Sequence, residues 1–388
     1  MLSNFINFCT DSFRYSLTGR RRYHLWMGIL TFFMIMGAAL YTIQLSEGLI
    51  VTGMNDYVSW GLYISNFTFL VGLAAAAVML VLPAYIFDNG DFHKVVLIGE
   101  GVAVGALLMC LAFVTADMGG PHRAWHLIPG IGYFNWPESM LAWDVVVLNG
   151  YLALNLFVPM YILFQRWQGK EPNKKVYLPF VFLSIFWAFA IHLVTAFLYA
   201  GLPARPFWNN ALLGPRFLAS AFAGGPAFIL ILLGIVKHFS EFKVDDKIKR
   251  KLALIITVAA QINLIMLGSE IFKEFYTPTE HSISAFYLFF GVGEHNALVP
   301  WIWTSIVLNV IATITLTIHR FRKNPKFLYP SCAILFVAIW IDKGMGLVIP
   351  GFIPSPLGEF VEYSPTFIEI GVSSVSYTHL RAHETRHD

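Results

Sequence analysis

The chain has 388 residues, 57% of them hydrophobic and only 13% charged, with a mean hydropathy of +0.64 and a formal net charge of +3. Soluble domains carry about 25% charged residues, so about half the usual surface charge is missing. A soluble enzyme, a disordered tail and a nucleic-acid binder are excluded, the last because the basic residues sit between apolar stretches.

In chain order, a basic segment (residues 1–22) ends in Arg20, Arg21 and Arg22 and has no small-residue cleavage site. It reads as a topology signal on a retained anchor. A bilayer-crossing helix needs about 20 mostly apolar residues. Nine stretches qualify: 23–45, 60–87, 95–116, 142–164, 176–200, 217–239, 252–272, 296–318 and 328–349. A tenth starts near Pro365 and stops being apolar after about ten residues, too few to cross. The runs are unbroken where barrel strands would alternate, so the expected fold class is an all-α integral membrane protein. From Ser376 the sequence turns polar and His-rich (SYTHLRAHETRHD). Residues 23–375 are therefore read as the membrane domain, and 376–388 as a non-native tail that truncates the tenth helix.

Lys and Arg in the short loops set orientation. The N-terminus and the alternate loops on its side carry 19, including Lys94 and Lys243, against four on the other side: Arg123, Arg205, Arg216 and Lys273. The N-terminus is expected in the cytoplasm. The outer loops (117–141, 201–215, 273–295 and 350–364) are longer and rich in Trp, Pro and Gly, as in ordered loops that hold a site or a partner.

Ionisable residues inside a membrane are costly and usually functional. Asp117 closes the third span, Asp144 opens the fourth, Glu270 ends the seventh, and Asp342 and Lys343 lie in the outer third of the ninth. His192 lies about eight residues, ~12 Å, from the outer end of the fifth. Gln44 and Glu47 end the first span and Glu369 begins the tenth; Glu100 alone sits near the cytoplasmic side. Each has a plain alternative. Asp144 could cap its helix, Asp117 could be a loop acid, His192 a satisfied core histidine, Glu47 and Glu270 headgroup contacts, and Asp342 and Lys343 structural pairs. Their shared depth nevertheless describes a polar pocket near the outer surface.

The three cysteines (Cys9, Cys110, Cys332) are too few and too scattered for an iron–sulfur cluster or a disulfide framework. No histidines match in depth for bis-His haem ligation, and no P-loop, HExxH or GxGxxG motif occurs. No metal site is expected. The small residues of GLAAAA (72–77) and of Gly101 with Gly105 read as close helix contacts. A site for a lipid-soluble redox carrier, or a transport site, remains. A quinone suits the inventory, because histidine titrates near neutrality and a buried carboxyl can be raised toward it.

The segments WGLYISNFTFLVGLAAAAV (60–78), ADMGGPHRAWHL (116–127), WDVVVLNGY (143–151), IHLVTAFLYAGLPARPFW (191–208), GPRFLASAFAGGPA (214–227), VPWIWTS (299–305) and WIDKGMG with GFIPSPL (340–357) together resemble the NrfD/polysulfide-reductase family of membrane subunits. The resemblance runs over residues 20–372, and within the family it is nearest the DsrP type found in DsrMKJOP complexes. It implies a haem-free, ten-helix protein of two four-helix bundles, spans two to five and six to nine, flanked by spans one and ten.

It further implies a menaquinone site in the first bundle near the outer face, formed by Asn66, Asp117, His126, Asp144, His192 and Tyr199. Asp117, Asp144 and His192 would do its proton chemistry. Glu270, Asp342 and Lys343 would be candidates for an ion path in the second bundle. In the first bundle Glu100 is followed by a gap of ~20 Å, which favours the redox reading over a channel. The implied partners are an extracytoplasmic ferredoxin-like iron–sulfur subunit (DsrO-like), a multihaem cytochrome c and other DsrMKJ-like subunits. The setting would be a cytoplasmic membrane, linked to sulfite reduction. One departure is DMGGP (117–121), where the family usually has a basic residue before the proline. An ion channel or transporter, and a plain anchor for the iron–sulfur subunit, stay open as alternatives.

Overall fold

The computed structural model describes residues 2–19, 21–86, 90–239 and 245–382. Arg20 and Lys243 of the topology count, the Lys94 side chain, and residues 383–388 of the tail lie outside the described residues and side chains.

The elements are α1 (Leu2–Leu17), α2 (Arg21–Glu47), α3 (Leu62–Ile86), α4 (Gly90–Asp117), α5 (Met140–Trp167), α6 (Lys174–Ala200), α7 (Leu213–Phe239), α8 (Asp246–Tyr276), a short α9 (Ile283–Phe290), α10 (Val299–Thr317), α11 (Pro325–Lys343) and α12 (Phe367–Ala382). Among the described residues nine helices are long and apolar enough to cross a bilayer, and they coincide with the nine apolar stretches of the sequence. The 16-residue α12 spans ~24 Å, short of the ~30 Å hydrocarbon core.

Local chemistry sets the helix starts. Asn173, Asp245 and Asn324 accept from the amides of Lys175, Lys247 and Lys326 at 3.0, 2.7 and 3.1 Å, capping α6, α8 and α11 at one end of the molecule. Helix α3 is not uniform. It tightens to a 3-10 turn at Ala75–Ala77 and widens to a π turn at Leu82–Ile86, around Pro83, which has no amide hydrogen to donate.

Helices α3, α4, α5 and α6 close one ring of contacts, and α7, α8, α10 and α11 close a second. These are the two expected four-helix bundles. They meet chiefly where α3 packs on α7, and a Cβ placed on Gly225 would fall 2.5 Å from Cβ of Ala76; only a glycine allows that approach. The flanking helices pair with each other, since α12 lies on α2 with Gly371 against Leu40. Gly101 corrects the sequence reading: a Cβ there meets nothing within 4 Å, so its side of α4 makes no close helix contact. Large apolar side chains such as Phe182, Phe186, Ile265 and Ile314 point outward, which lipid tails accommodate as well as protein does.

The two ends differ. Connections 118–139, 201–212, 277–298 and 344–366 make a loop-rich end, whereas 168–173 and 318–324 make a short-loop end.

Candidate functional site

Near the loop-rich end the interior of the first bundle is polar. Asp144 lies one turn into α5, buried, and Thr195 Oγ1 of α6 donates to its Oδ1 at 2.8 Å. The cap of α5 is Ser139, whose side chain accepts from the Ala142 amide. Asp144 is therefore free of the capping role. His192 precedes Thr195 by three residues and so shares its helix face. Its Nδ1 lies 2.8 Å from the Ala188 carbonyl oxygen. A carbonyl only accepts, so Nδ1 carries the proton of the neutral ring and Nε2 presents a lone pair. Nε2 is buried and has no hydrogen-bond partner.

Tyr199, further along α6, shares a short hydrogen bond with the Thr68 hydroxyl of α3. Trp60, Trp208 and Phe217 surround its ring, with centroids at 5.7, 5.4 and 6.2 Å. Asn66 of α3 accepts through Oδ1 from Trp340 Nε1 of the second bundle at 2.9 Å, which leaves Nδ2 buried without a partner.

Asp117 sits slightly apart at the end of α4, with Oδ1 buried and unpartnered. Gln44 Nε2 donates to the Ala116 carbonyl oxygen at 2.7 Å, and the Tyr63 hydroxyl donates to Gln44 Oε1 at 2.6 Å. Beside this group Glu369, fully buried, accepts from the Tyr363 hydroxyl at 2.7 Å and from the amides of Gly53 and Thr366 at 2.7 and 2.9 Å. Burial and the Glu369 carboxylate push the Tyr363 phenol up, which keeps it a donor.

His126 stands apart from this group. It is exposed on the short turn Pro121–Leu127, stacked on Trp125 with ring centroids 3.8 Å apart. The turn that follows Pro121 holds it on the surface, outside the buried group. Glu100 lies toward the other end of α4, buried with Oε2 unpartnered, ~26 Å below Asp117 along the helix.

The second bundle holds an ion cluster. Arg216 Nη2 lies 2.7 and 2.8 Å from the two carboxylate oxygens of Asp342, and Nη1 pairs with Glu270. Asn210 Nδ2 adds a hydrogen bond to Glu270 at 3.3 Å. Two sequence expectations change here. Arg216 is a buried helix residue and not part of a loop, because α7 starts at Leu213, ahead of the stretch 217–239. Glu270 faces Arg216 and not the headgroups. Lys343 stays out of the cluster: Nζ is buried without a hydrogen-bond partner, 3.4 Å from the Phe217 ring centroid. No group of three or more His, Cys, Asp or Glu side chains able to hold a metal occurs among the described residues.

Residues 50–352 match the family described as polysulphide reductase, NrfD. The chain belongs to the NrfD family. It is 25% identical to a selenate reductase subunit of Mesobacillus selenatarsenatis, over 89% of this chain and 88% of that protein. It is 23% identical to the Hdr-like menaquinol oxidoreductase integral membrane subunit of Archaeoglobus fulgidus, over 82% and 77%. It is also 23% identical to the menaquinone reductase integral membrane subunit of Nitratidesulfovibrio vulgaris, over 91% and 87%. With its nine apolar helices, this NrfD-family chain is a multi-pass integral membrane protein.

Four residues of the NrfD-family interior escaped the sequence reading. Thr195 was legible from its spacing to His192. Arg216 lies in GPRFLASAF at the edge of an apolar run, where a basic residue looks like a loop charge. Thr68 and Trp340 carry no local signal, since their partners come from other helices.

Proposed function

We propose that this chain is a haem-free quinone-interacting subunit, at which menaquinol or menaquinone exchanges electrons with an iron–sulfur partner docked on the loop-rich face. In this reading that face is extracytoplasmic, the N-terminus is cytoplasmic, and the membrane is the inner one. The observation that carries the reading is the pair of buried, unpartnered polar atoms His192 Nε2 and Asn66 Nδ2 in the same bundle as Asp144 and Tyr199. An unpaired buried polar group costs about 1–3 kcal/mol, a cost that binding a complementary ligand removes. Nε2 offers a lone pair to a quinol hydroxyl, and Asn66 Nδ2 offers a donor to a quinone carbonyl. Asp144, held by Thr195, is the acceptor for the second proton, and Asp117, which closes α4 at the loop-rich end, is a further candidate for proton exchange.

The menaquinol and menaquinone named for two relatives support the choice of quinone. The sequence resemblance to the DsrP type extends the proposal to a sulfite-linked complex with DsrO-like, multihaem cytochrome c and other DsrMKJ-like subunits. Glu100 and the second-bundle residues Glu270, Asp342 and Lys343 are then candidates for proton movement; any path through Glu270 or Asp342 has to loosen their hold on Arg216.

The test is binding of a fluorescent quinone analogue to the assembled complex, wild type and His192→Ala. Affinity should fall at least about tenfold, the effect of ~1.4 kcal/mol, with assembly intact. Equal binding in both proteins would move the pocket elsewhere.

A further inference from the structure

Helix α1 belongs to neither bundle. It packs Phe5 and Phe8 against Phe164 and Trp167 in the last turn of α5, with ring centroids 5.6, 5.5 and 6.0 Å apart. Its other end meets the start of α2, where the Tyr23 hydroxyl donates to the Ser16 carbonyl oxygen at 2.5 Å. Both anchors lie at the short-loop end: Trp167 precedes connection 168–173, and the far end of α2 reaches Ala116 at the opposite end through Gln44. A helix strung between two spans at one level runs along the plane of the membrane boundary.

At about 100° per residue, α1 has three faces roughly 120° apart. Phe5 and Phe8 face α5. Asn4, Asn7, Asp11 and Arg14 form an exposed polar stripe. Ile6, Phe13 and Leu17, exposed by 55, 64 and 54%, form an apolar stripe that the described residues leave uncovered. Protein, water and acyl chains are the three surroundings of a helix lying in a bilayer interface.

At the corner a groove of about 440 Å³ opens between Ser16 and Leu17 of α1 and one stripe of α2, formed by His24, Gly28, Thr31 and Ile35. The stripe follows helical spacing. A Cβ on Gly28 would meet nothing within 4 Å, so the glycine hollows this face of the helix. From His24 to Ile35 the groove descends ~16 Å, about half of the ~30 Å hydrocarbon core. That is the depth of one leaflet, and so of one acyl chain. The sequence places Arg14, Arg20, Arg21 and Arg22 on the two sides of the corner, and no acidic residue occurs between Asp11 and Glu47. The side chains of Arg14 and Arg21 are exposed. Basic residues at a membrane boundary attract anionic headgroups.

We propose that the corner between α1 and α2 binds one anionic phospholipid of the leaflet at the short-loop end, with an acyl chain in the groove over Gly28 and the headgroup at Arg14 and Arg21. The apolar stripe of α1 rests on the acyl chains beside it. The site lies outside both bundles and needs no quinone.

The test is native mass spectrometry of the full chain, purified in detergent and equilibrated with equal amounts of phosphatidylglycerol and phosphatidylcholine. Wild type should retain one phosphatidylglycerol, preferred at least about fivefold. Gly28→Leu points into open space and favours the helix, so its unfolding temperature should not fall. By displacing two or three methylenes it should weaken retention at least about tenfold. Arg21→Gln should keep the lipid but lose about fivefold in preference. Equal retention by Gly28→Leu and wild type, or no preference in wild type, would overturn the proposal. A photoreactive side chain in native membranes, Phe13→p-benzoylphenylalanine, should yield phospholipid adducts. Adducts to another protein alone would make that protein the occupant of this face and overturn the lipid assignment.

Discussion

One nitrogen of Arg216, Nη2, sits 2.7 and 2.8 Å from the two carboxylate oxygens of Asp342, which leaves Nη1 for Glu270. Removing one partner from such a buried group strands charge, at a cost of about 3–5 kcal/mol. Arg216→Met should lower the unfolding temperature of the detergent-solubilised chain clearly. Replacing all three members together with apolar residues should restore much of the loss, because apolar substitutes for a whole buried ion group are often neutral or stabilising. A triple variant no more stable than Arg216→Met would show that the cluster holds α7, α8 and α11 together in some further way.

Asp144 and Thr195 give a graded test of the first bundle. Asp144→Asn should abolish quinone-linked electron transfer while the complex still assembles. Thr195→Val removes a single hydrogen bond of ~1.5 kcal/mol, so steady-state turnover should drop about tenfold. If both variants turn over like wild type, Asp144 has no part in the redox step.

Glu369 of α12 ties the segment 48–61, through Gly53, to the connection 344–366, through Tyr363 and Thr366. Glu369→Ala should expose the segment 48–61 to protease and loosen α12 from α2, with Tyr363→Phe showing a smaller effect of the same sign. The phenol of Tyr363 titrates above its ordinary value of 10.0 in the folded chain. Its contribution to stability is thus fully present below pH 10.0 and is lost as pH rises from there through the folded value. A melting temperature that already falls between pH 7 and pH 9 in wild type but not in Tyr363→Phe would contradict that sign.

Gly225 sets the distance between the bundles. A methyl group there would meet Ala76 Cβ at 2.5 Å, with the Ala76 main chain just behind it, so the helices must part. Gly225→Ala should destabilise by about 1–3 kcal/mol, the usual cost of overpacking, and should slow any process that crosses the seam. Thermal unfolding together with quinol turnover measures both.

The nine spans were legible because a bilayer demands only length and apolarity, and a helix satisfies its own backbone without help from its neighbours. Tyr199 came only through the family resemblance, whereas the shared level of Asp144 and His192 was legible from depth, since residues counted from the same helix ends reach the same level. Partnership was not. Arg216, Glu270 and Asp342 lie on three helices, and nothing within any one of them announces the others. His126, named through the family resemblance, lies on the surface outside the buried group, a position that sequence alone does not show for a loop residue. Asp342 and Lys343 are chain neighbours, and adjacent residues on a helix point about 100° apart, so the need for separate partners was legible while the partners themselves, Arg216 and the Phe217 ring, were not.

Photolabelling can locate the quinone in the first bundle. A photoreactive menaquinone analogue, bound to the assembled complex and competed by menaquinone, should label peptides of α3, α5 and α6 around Asn66, Asp144 and His192. Competable label confined to α8, α10 and α11, with none in the first bundle, would contradict the account.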